Sequence, residues 1–456
     1  MTSKERWQDS TGPMADNDRD GDWVFDRSVE CATPEERRQA AERAWAAQRE
    51  HVAANSSFYR RTYEEAGLRL TSTVGLAELS DFPFTTKDEL RTAQKREGPF
   101  GDHLAVPAST VKRVYQTSGT SGVPSLIALT TEDVKTWTAI GSRSYFATGI
   151  RAHNSVLTTF GAGPFVAGHI HGVIANLGPR AVPVGPGDTA SVLSALEAGL
   201  VDTMLTTPSF ALYLADRLQS SGGASGFGVI HMITGGEPGG GLPSIRTLIE
   251  SAFGARLTEA MGLGDISPSL FGECPAQQGM HFGGDGLVWP ELIDEHGEAV
   301  PIEPGATGEL VYTHLRREAM PLIRFRSSDF VEILTTECPC GRTSFTMRIR
   351  GRVDDMFIVR GVNVYPSAVQ AVVGTFAPAA TGRVQVVLAT DGPAATPPVP
   401  IDIEIPDGQA ANPALAEDIE AALHQSLRFR AQVRLVSASD FGDASYKTRP
   451  TRRVDG

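Results

Sequence analysis

The chain has 456 residues, of which 41% are hydrophobic and 21% are charged, and its formal net charge is −13. This length exceeds one ordinary domain, so we expect at least two domains. The acidic balance argues against nucleic acid or an anionic membrane surface as a partner. No apolar run approaches membrane-spanning length, the polar N-terminus lacks the core of a signal peptide, and four cysteines are too few for a disulfide scaffold, so we expect a cytoplasmic protein.

The first predicted element is a helix that follows a polar N-terminal extension, residues 1–30. Thr33 can cap this helix, Pro34 suits its first position, and Glu36 can close a capping box. Apolar residues then recur at helical spacing as far as Val52. Because the extension shows little apolar periodicity, we expect it to be mobile or loosely packed on the surface.

A turn rich in hydroxyls and glycines lies between two short predicted strands, 111–115 and 127–129. Its residues are Thr117, Ser118, Gly119, Thr120, Ser121 and Gly122. Glycines let backbone N–H groups point inward and hydroxyls add donors, so this loop suits a polyphosphate. It is not a Walker A loop, because no Gly-Lys-Ser/Thr sequence closes it. A plain surface hairpin explains the composition equally well.

Residues 150–235 alternate short β-rich runs with longer helical stretches. The predicted strands are 155–160, 203–207 and 229–234, and the predicted helices are 190–198 and 209–218. This order predicts an α/β fold with a mainly parallel sheet, in which ligands bind at the carboxyl ends of the strands.

Beyond Gly351 the pattern becomes that of a small α+β domain. The predicted strands are 383–389, 401–405 and 433–436, and the predicted helix is 413–427. We therefore divide the chain into the extension, a large multi-layer α/β domain over residues 31–351, and a small mobile α+β domain over residues 352–456.

Four further motifs contain charged residues, three of them together with glycines, and each alone is explained as an ordinary turn or surface cluster. They are Gly235-Gly236-Glu237-Pro238, Met261-Gly262-Leu263-Gly264-Asp265, Arg324-Phe325-Arg326-Ser327-Ser328-Asp329, and Gly351-Arg352-Val353-Asp354-Asp355-Met356 with the following residues 360–366. Asp265, after a glycine-rich turn, suits Mg²⁺, and Asp329 suits both hydroxyls of a ribose. The last motif lies at the predicted domain boundary and suits a hinge.

In this order the five motifs resemble the adenylate-forming superfamily of acyl- and aryl-CoA ligases, and most closely its phenylacetate-CoA ligase-like branch. The resemblance runs from about Glu42 to the C-terminus. It includes the stretches 55–59, 82–87, 289–294, 308–311 and 319–324. It implies activation of a carboxylic acid by ATP and Mg²⁺, release of pyrophosphate, and transfer of the acyl group, most readily to coenzyme A.

The resemblance also assigns roles to individual residues. The nucleotide-binding residues that it implies are Thr117, Ser118, Gly119, Thr120, Ser121, Gly122, Gly236, Glu237, Pro238, Met261, Gly262, Asp329 and Arg352. It implies catalytic roles for Lys447 and for Asp265, the latter as a magnesium ligand, and a hinge at Asp354. The assignment of Lys447 depends on how the tail is aligned with the family pattern, because an alignment on Arg453 places no lysine at the catalytic position. Alternatively, the tail is a solvated basic segment without a catalytic role.

The acyl pocket implied by the resemblance contains Gly235, Phe160 and Phe165, which favours an aromatic acid. Both phenylalanines are explained as well by a plain core role. We expect the nearby His169 and His171 to make satisfied polar contacts rather than to act on the substrate.

The chain departs from the family where Met261-Gly262-Leu263-Gly264-Asp265 replaces Tyr-Gly-x-Thr-Glu. Met261 cannot stack on adenine as tyrosine does, Gly264 lacks a hydroxyl, and Asp265 reaches less far than glutamate. A catalytically weakened homologue is therefore one alternative. Others are a ligase that passes the acyl group to an amine or a carrier protein, and, disfavoured by the missing Walker A ending, a phosphate-loop NTPase.

The cysteines offer a candidate metal site. Cys338 and Cys340 form a tight pair on a turn, and with Cys274 and His281 they give the four soft ligands of a closed tetrahedral Zn²⁺ site. The resemblance implies the same structural zinc, and reduced bystander thiols are the alternative. We assign no role to Cys31. The expected partners are a small carboxylic acid and ATP, and the oligomeric state is open, with a homodimer as the candidate.

Overall fold

The structure is a computed structural model that describes residues 23–71, 73–96, 98–117, 125–163, 165–219, 223–360, 362–389, 394–406, 408–437, 441 and 450–454. The helices are α1 (Arg27–Glu30), α2 (Pro34–Asn55), α3 (Ser57–Glu65), α4 (Lys87–Gln94), α5 (Thr131–Ala147), α6 (Ile170–Leu177), α7 (Thr189–Glu197), α8 (Pro208–Gln219), α9 (Pro243–Phe253), α10 (Pro366–Val373) and α11 (Pro413–Leu427).

The strands follow in chain order. Those of the large domain are β1 (Arg113–Gln116), β2 (Leu126–Leu129), β3 (Ser155–Thr158), β4 (Arg180–Pro183), β5 (Thr203–Thr206), β6 (His231–Thr234), β7 (Arg256–Leu263), β8 (Ser267–Glu273), β9 (Met280–Phe282), β10 (Val288–Ile293), β11 (Ala299–Val300), β12 (Thr307–His314), β13 (Phe325–Thr335) and β14 (Thr346–Arg352). Those beyond it are β15 (Phe357–Val359), β16 (Val362–Val364), β17 (Val384–Ala389), β18 (Val399–Glu404), β19 (Ala431–Val436) and β20 (Thr451–Val454).

A 12-stranded mixed sheet forms the centre of the large domain. Its order is β11-β10-β12-β13-β14-β9-β8-β7-β6-β5-β3-β4. The strands from β4 to β7 pair in parallel, as predicted for residues 150–235. The pairs from β7 to β11 are antiparallel. The large domain therefore joins a parallel half to an antiparallel half at β7.

Helices cover both faces of the parallel half. Val156, on one face, packs with residues of α5 and α6, whereas its neighbour Leu157, on the other face, packs with residues of α7, α8 and α9. Every residue of β3, β5 and β6 is buried. This double cover explains why these strands read as continuous apolar runs in the sequence.

The predicted capping box begins α2, because the Thr33 side chain accepts from the Glu36 backbone N–H and Glu36 accepts from that of Thr33. The helix buries Trp45 completely. The same cap chemistry begins α4 at Thr86 and α5 at Thr130. These local signals fix where the helices start.

The last part of the N-terminal extension is packed, contrary to our expectation for residues 1–30. Glu30 is buried and accepts from Arg342 Nε at 2.6 Å, and the Arg151 guanidinium lies 5.4 Å from the Trp23 ring centroid. Residues 1–22 lie outside the described part. Contacts of charged side chains with distant residues hold this segment. The expectation was based on apolar periodicity, which gives no information about such contacts.

The small domain contains a four-stranded sheet in the order β19-β18-β17-β20, packed with α10 and α11. The three predicted strands and the predicted helix are present. The C-terminal tail adds a fourth strand, because β20 pairs in parallel with β17. Among the residues described, no helix is both long enough and apolar enough to cross a bilayer.

Candidate active site

The carboxyl ends of β3, β5 and β6 bring the predicted glycine-rich turns together. The Gly235 backbone N–H donates to Thr206 O at 3.0 Å, and Thr159 Oγ1 lies 2.9 Å from Thr206 Oγ1. Gly236 has φ +85°, and a Cβ there would lie 3.3 Å from the Phe160 ring. The site therefore needs glycine at this position for both backbone conformation and space.

Glu237 fixes this turn to the neighbouring strand end. Its Oε1 accepts from the Ser209 backbone N–H at 2.9 Å and from the Ser209 hydroxyl. The carboxylate thus ties the β6 turn to the start of α8. The rim at these strand ends, with residues 159–160, 206–209 and 235–238, is preorganised by its own hydrogen bonds.

Asp265, at the end of the β7 segment, pairs with a residue that received no role from the sequence. Both of its carboxylate oxygens accept from Lys87 Nζ, at 2.5 and 2.6 Å. Lys87 is the first residue of α4, and the two side chains are 26% and 10% exposed. In this structure both oxygens of the Asp265 carboxylate are therefore engaged by the Lys87 ammonium.

Gly264 explains how the chain accommodates its departure from the family pattern. A Cβ at Gly264 would lie 3.0 Å from Val166 Cγ2 and 3.3 Å from Thr117 Cγ2. Val166 therefore fills space that a threonine at position 264 needs. Thr117 Oγ1 is buried and has no hydrogen-bond partner in the described structure, so this side chain offers a free hydroxyl near Gly264. Residues Ser118 to Gly122 lie outside the described part.

Asp329, Arg352 and Asp354 form one ion-paired chain. Arg352 Nη1 donates to Asp329 Oδ1 at 2.9 Å, while its Nε and Nη2 donate to the two Asp354 oxygens, both at 2.9 Å. Burial lowers the pKa of Arg352, but the two carboxylates outweigh it and raise the pKa. The buried Asp329 is thus held rigidly, as a ribose-binding carboxylate requires.

The predicted hinge lies beside a close contact between the domains. A Cβ at Gly351 would lie 2.5 Å from Tyr365 Cδ1, and the Phe330 and Tyr365 rings stack with centroids 5.3 Å apart. Asp354 itself is exposed. The large and small domains therefore meet at Gly351, next to the Arg352 ion pairs.

Of the two aromatic residues of the predicted acyl pocket, Phe160 lies at this rim. Phe160 is half-buried against Gly236, and Phe165 is 38% exposed and forms a backbone bridge with Gln116. His171 Nε2 lies 2.9 Å from Phe160 O, and His169 Nε2 lies 3.4 Å from Thr138 Oγ1. Burial lowers the pKa of His169 to about 4, so its imidazole is neutral near pH 7. Both histidines make the satisfied polar contacts expected of them.

A second cluster of functional side chains lies in the antiparallel half. Cys274 Sγ is 3.5 Å from Cys338 Sγ, Cys340 Sγ is 3.4 Å from His281 Nε2, and all four ligand atoms lie within 4.8 Å of one another. Two sulfurs of a zinc tetrahedron lie about 3.8 Å apart when Zn–S is about 2.3 Å. The four residues fit a closed zinc site in both ligand type and spacing.

The metal cluster is connected to the N-terminal segment through Arg342. Its Nη1 lies 3.5 Å from Cys340 Sγ, and its Nε donates to Glu30 Oε2. Hydrogen bonds from the Cys274 and Cys338 thiols lower the pKa of Cys340, which therefore favours its thiolate form. Residues 23–30 are consequently attached to the outer side of the cluster. Lys447, in contrast, lies outside the described part, and β20 begins shortly after it.

Comparisons with known proteins agree with this geometry. The chain is 36% identical over 321 residues to a phenylacetate-coenzyme A ligase of Thermus thermophilus, which covers 69% of this chain and 70% of that protein. It is 33% identical over 331 residues to a phenylacetate-coenzyme A ligase of Escherichia coli K12, and this alignment covers 70% of this chain and 72% of that protein. No protein-family model matches the chain.

One solved structure provides a view of the domain arrangement. A 2-hydroxyisobutyryl-CoA ligase in the postadenylation state, in complex with its acyl-AMP, is 26% identical and has a TM-score of 0.85 over 98% of this chain and 94% of that one. The same enzyme with acyl-AMP and CoA in the thioesterification state has a TM-score of 0.70 at the same coverage. The chain is therefore more similar in overall structure to the postadenylation state than to the thioesterification state.

The strand-end rim, the Asp329–Arg352 pair and these similarities lead to one conclusion: the chain belongs to the phenylacetate-coenzyme A ligase family and is an AMP-forming acid–thiol ligase of the adenylate-forming type.

Proposed function

We propose that this ligase activates an aromatic carboxylic acid with ATP and transfers the acyl group to coenzyme A. Acid activation and coenzyme A transfer follow from the family, and the aromatic substrate is the further step. One observation carries that step: the half-buried Phe160 lies against Gly236 at the carboxyl ends of the parallel strands, and the exposed Phe165, on the same connection, forms a backbone bridge with Gln116 just before Thr117. An aromatic substrate ring would find apolar faces there and a polar rim on the nucleotide side.

In the adenylation step the substrate carboxylate attacks the α-phosphate of ATP, and pyrophosphate leaves. The loop that begins at Thr117 would receive the pyrophosphate, and its buried, unpartnered Oγ1 is ready to donate a hydrogen bond. Asp329, held by Arg352, would accept the ribose hydroxyls. Donors and charges that are fixed before the reaction stabilise developing charge without reorganising.

Mg²⁺ fits the donor set around Asp265. The ion prefers carboxylate and phosphate oxygens, so Asp265 would hold it together with the phosphates of ATP. When bound, it would neutralise charge on the leaving pyrophosphate. Lys87 occupies the same carboxylate in this structure and would move onto a phosphate oxygen when the nucleotide binds.

The small domain would supply Lys447 to the adenylation step and then rotate near Asp354 to admit coenzyme A. The solved relative supports such a rotation, because its two catalytic states match this chain with different TM-scores. Strand β20 fixes the chain just after Lys447 to the small-domain sheet. The lysine would therefore move with that domain.

The cysteine cluster would hold one structural zinc and take no part in the chemistry. Four protein ligands close the coordination sphere, which leaves no position for substrate. The ion would fasten the β8–β9 connection to the β13–β14 connection, and through Arg342 it would also hold the N-terminal segment.

ATP–pyrophosphate exchange across a panel of acids tests the substrate class. Benzoic, phenylacetic, cinnamic and amino-substituted aromatic acids form the test set, and 2-hydroxyisobutyric acid is the aliphatic control. We expect exchange with an aromatic acid at least about tenfold above the control, a preference worth about 1.4 kcal/mol. Preference for the aliphatic acid would contradict the aromatic assignment.

Two further measurements test the position of the acid and the identity of the acyl acceptor. Phe165→Leu should raise the KM for the aromatic acid and leave the KM for ATP unchanged, since only the acid touches that side chain in the proposed complex. Addition of coenzyme A should give a thioester. Exchange without thioester formation would instead favour an amine or a carrier protein as the acyl acceptor.

A further inference from the structure

Arg317 is a fully buried cation that the motifs do not include. It follows β12, and its residue is 2% exposed. None of its three guanidinium nitrogens has a hydrogen-bond partner among the residues that the structure describes. An unpaired buried charge is strongly unfavourable, so natural proteins retain one mainly where it has a task.

The loop around Arg317 is firmly anchored, so the unpaired side chain is not a result of a loose backbone. The Arg317 backbone N–H donates to Gln48 Oε1 at 2.7 Å, and Gln48 Nε2 donates to Arg317 O at 2.8 Å. The next two backbone N–H groups, of Glu318 and Ala319, donate to Asp133 at 2.7 and 3.0 Å. Each of these contacts uses backbone atoms and leaves the guanidinium unpaired.

Two carboxylates are close enough to influence Arg317, and both are committed elsewhere. Asp133 accepts from the backbone of Thr130, Glu318 and Ala319. Asp265 accepts twice from Lys87. The charges of Asp133 and Asp265 act on Arg317 without forming a hydrogen bond to it.

The guanidinium of Arg317 lies against an aromatic ring. Arg317 Cζ lies 4.9 Å from the Trp137 ring centroid. Trp137 also stacks with Tyr115, two residues before Thr117, with ring centroids 6.0 Å apart, and its Nε1 donates to Ile266 O, next to Asp265, at 2.6 Å. A cation–π contact offsets only part of the desolvation of a charge. Arg317 is therefore linked through Trp137 to the segments that carry Thr117 and Asp265, and the charge of Asp265 acts on it.

We propose that Arg317 is a positioning residue for adenylation: its unpaired charge strengthens pyrophosphate binding at Asp265, Lys87 and Thr117. Pyrophosphate is an anion, and the nearby Asp265 carboxylate repels it. The positive charge of Arg317 offsets this repulsion and keeps the electrostatic potential favourable where pyrophosphate binds. This inference rests on the proposed function, since it assumes that pyrophosphate is released there. It also explains how a site with Gly264 and the shorter Asp265 retains the leaving group.

Arg317→Met and Arg317→Lys test the inference, and Arg316→Met is the matched control. Arg316 is the exposed neighbour, so its variant removes the same charge where solvent screens it. Inorganic pyrophosphate with Mg²⁺ is the probe, and its effect on the melting temperature of each variant measures binding without any acid. Failure of the proposed function would appear separately, as absence of acid-dependent exchange in the wild type.

We expect pyrophosphate to raise the melting temperature of the wild type, Arg317→Lys and Arg316→Met, but much less that of Arg317→Met. In the exchange reaction the KM for pyrophosphate should rise about tenfold in Arg317→Met, as for loss of one preorganised charge near a leaving group. Without ligand, Arg317→Met should melt at the same or a higher temperature, because it removes an unpaired buried charge.

Equal pyrophosphate responses in Arg317→Met and Arg316→Met would overturn the proposal. A variant Arg317→Met that does not fold, or melts well below the wild type, would overturn it as well, because the guanidinium would then have a structural partner. An Arg317→Lys variant that responds no better than Arg317→Met would show that charge at this position is not what matters.

Discussion

The candidate active site and the cysteine cluster differ in how complete they are without ligand. In the candidate active site, Thr117 Oγ1 and the whole Arg317 guanidinium are buried without partners among the described residues. In the cluster, four ligand atoms already lie at distances that suit a metal tetrahedron. The candidate active site is incomplete until nucleotide binds, whereas the four ligands of the cluster already have the spacing that one ion needs. Changes in the candidate active site should therefore affect catalysis, and changes in the cluster should affect stability.

The largest effect is expected from Lys447→Ala, which removes the proposed adenylation cation. Acid-dependent exchange should fall by about 10²-fold or more, because preorganised charge at the transition state is a large catalytic term. Thioester formation from acyl-adenylate supplied directly should fall far less. Arg449→Ala is the control for loss of a nearby charge, and unchanged exchange in Lys447→Ala would reject the register.

Zinc removal should affect stability more than chemistry. Metal analysis should give about one zinc per chain, and chelation should lower the melting temperature by roughly 5–10 °C. Because Arg342 connects Cys340 to Glu30, limited proteolysis should then cut near residues 23–33 before other sites. Cys31→Ser is the control and should retain its zinc. Full zinc occupancy in Cys338→Ser would contradict the four-ligand site.

Lys87→Met tests what the Lys87 ammonium contributes, as distinct from the Mg²⁺ that Asp265 would also bind. Exchange should fall about tenfold, and stability should fall because a nearly buried carboxylate loses its counterion. Lys87→Arg keeps the charge and should keep most of the stability. If Lys87→Met retains wild-type exchange at all Mg²⁺ concentrations, the ammonium has no role on the phosphate side.

The smallest effect concerns the altered family motif. Gly264→Thr alone should give no gain in exchange, since its Cβ would lie 3.0 Å from Val166. The double variant Gly264→Thr with Val166→Ala should bind ATP more tightly than the single variant Gly264→Thr. Its KM for ATP should be lower by a factor of several. A gain from Gly264→Thr alone would show that Val166 moves freely.

The sequence predicted most of the fold, because its signals there are local. The Thr33–Glu36 cap, the strand ends and the parallel order all depend on neighbouring residues. The antiparallel half was not predicted, although β13 alternates buried and half-buried residues as a strand with one core face does. Strand β20 was missed because a short basic segment resembles a solvated tail.

The parts of the site that sequence reasoning missed depend on distant pairs. Lys87 meets Asp265 across 178 residues, and nothing near either residue indicates the contact beyond the family-like stretch 82–87. Arg317 was missed because its distinguishing feature is that its buried guanidinium has no hydrogen-bond partner among the described residues. No spacing pattern reports an unpaired buried charge, whereas a structure shows it directly.

Acid-dependent ATP–pyrophosphate exchange by the wild-type chain is the most direct test of the central claim that the strand-end rim is an adenylation site. We predict that label from pyrophosphate enters ATP only when a suitable acid is present, and that AMP is the nucleotide product once coenzyme A is added. Absence of exchange with every acid of the panel, or ADP as the product, would contradict the account.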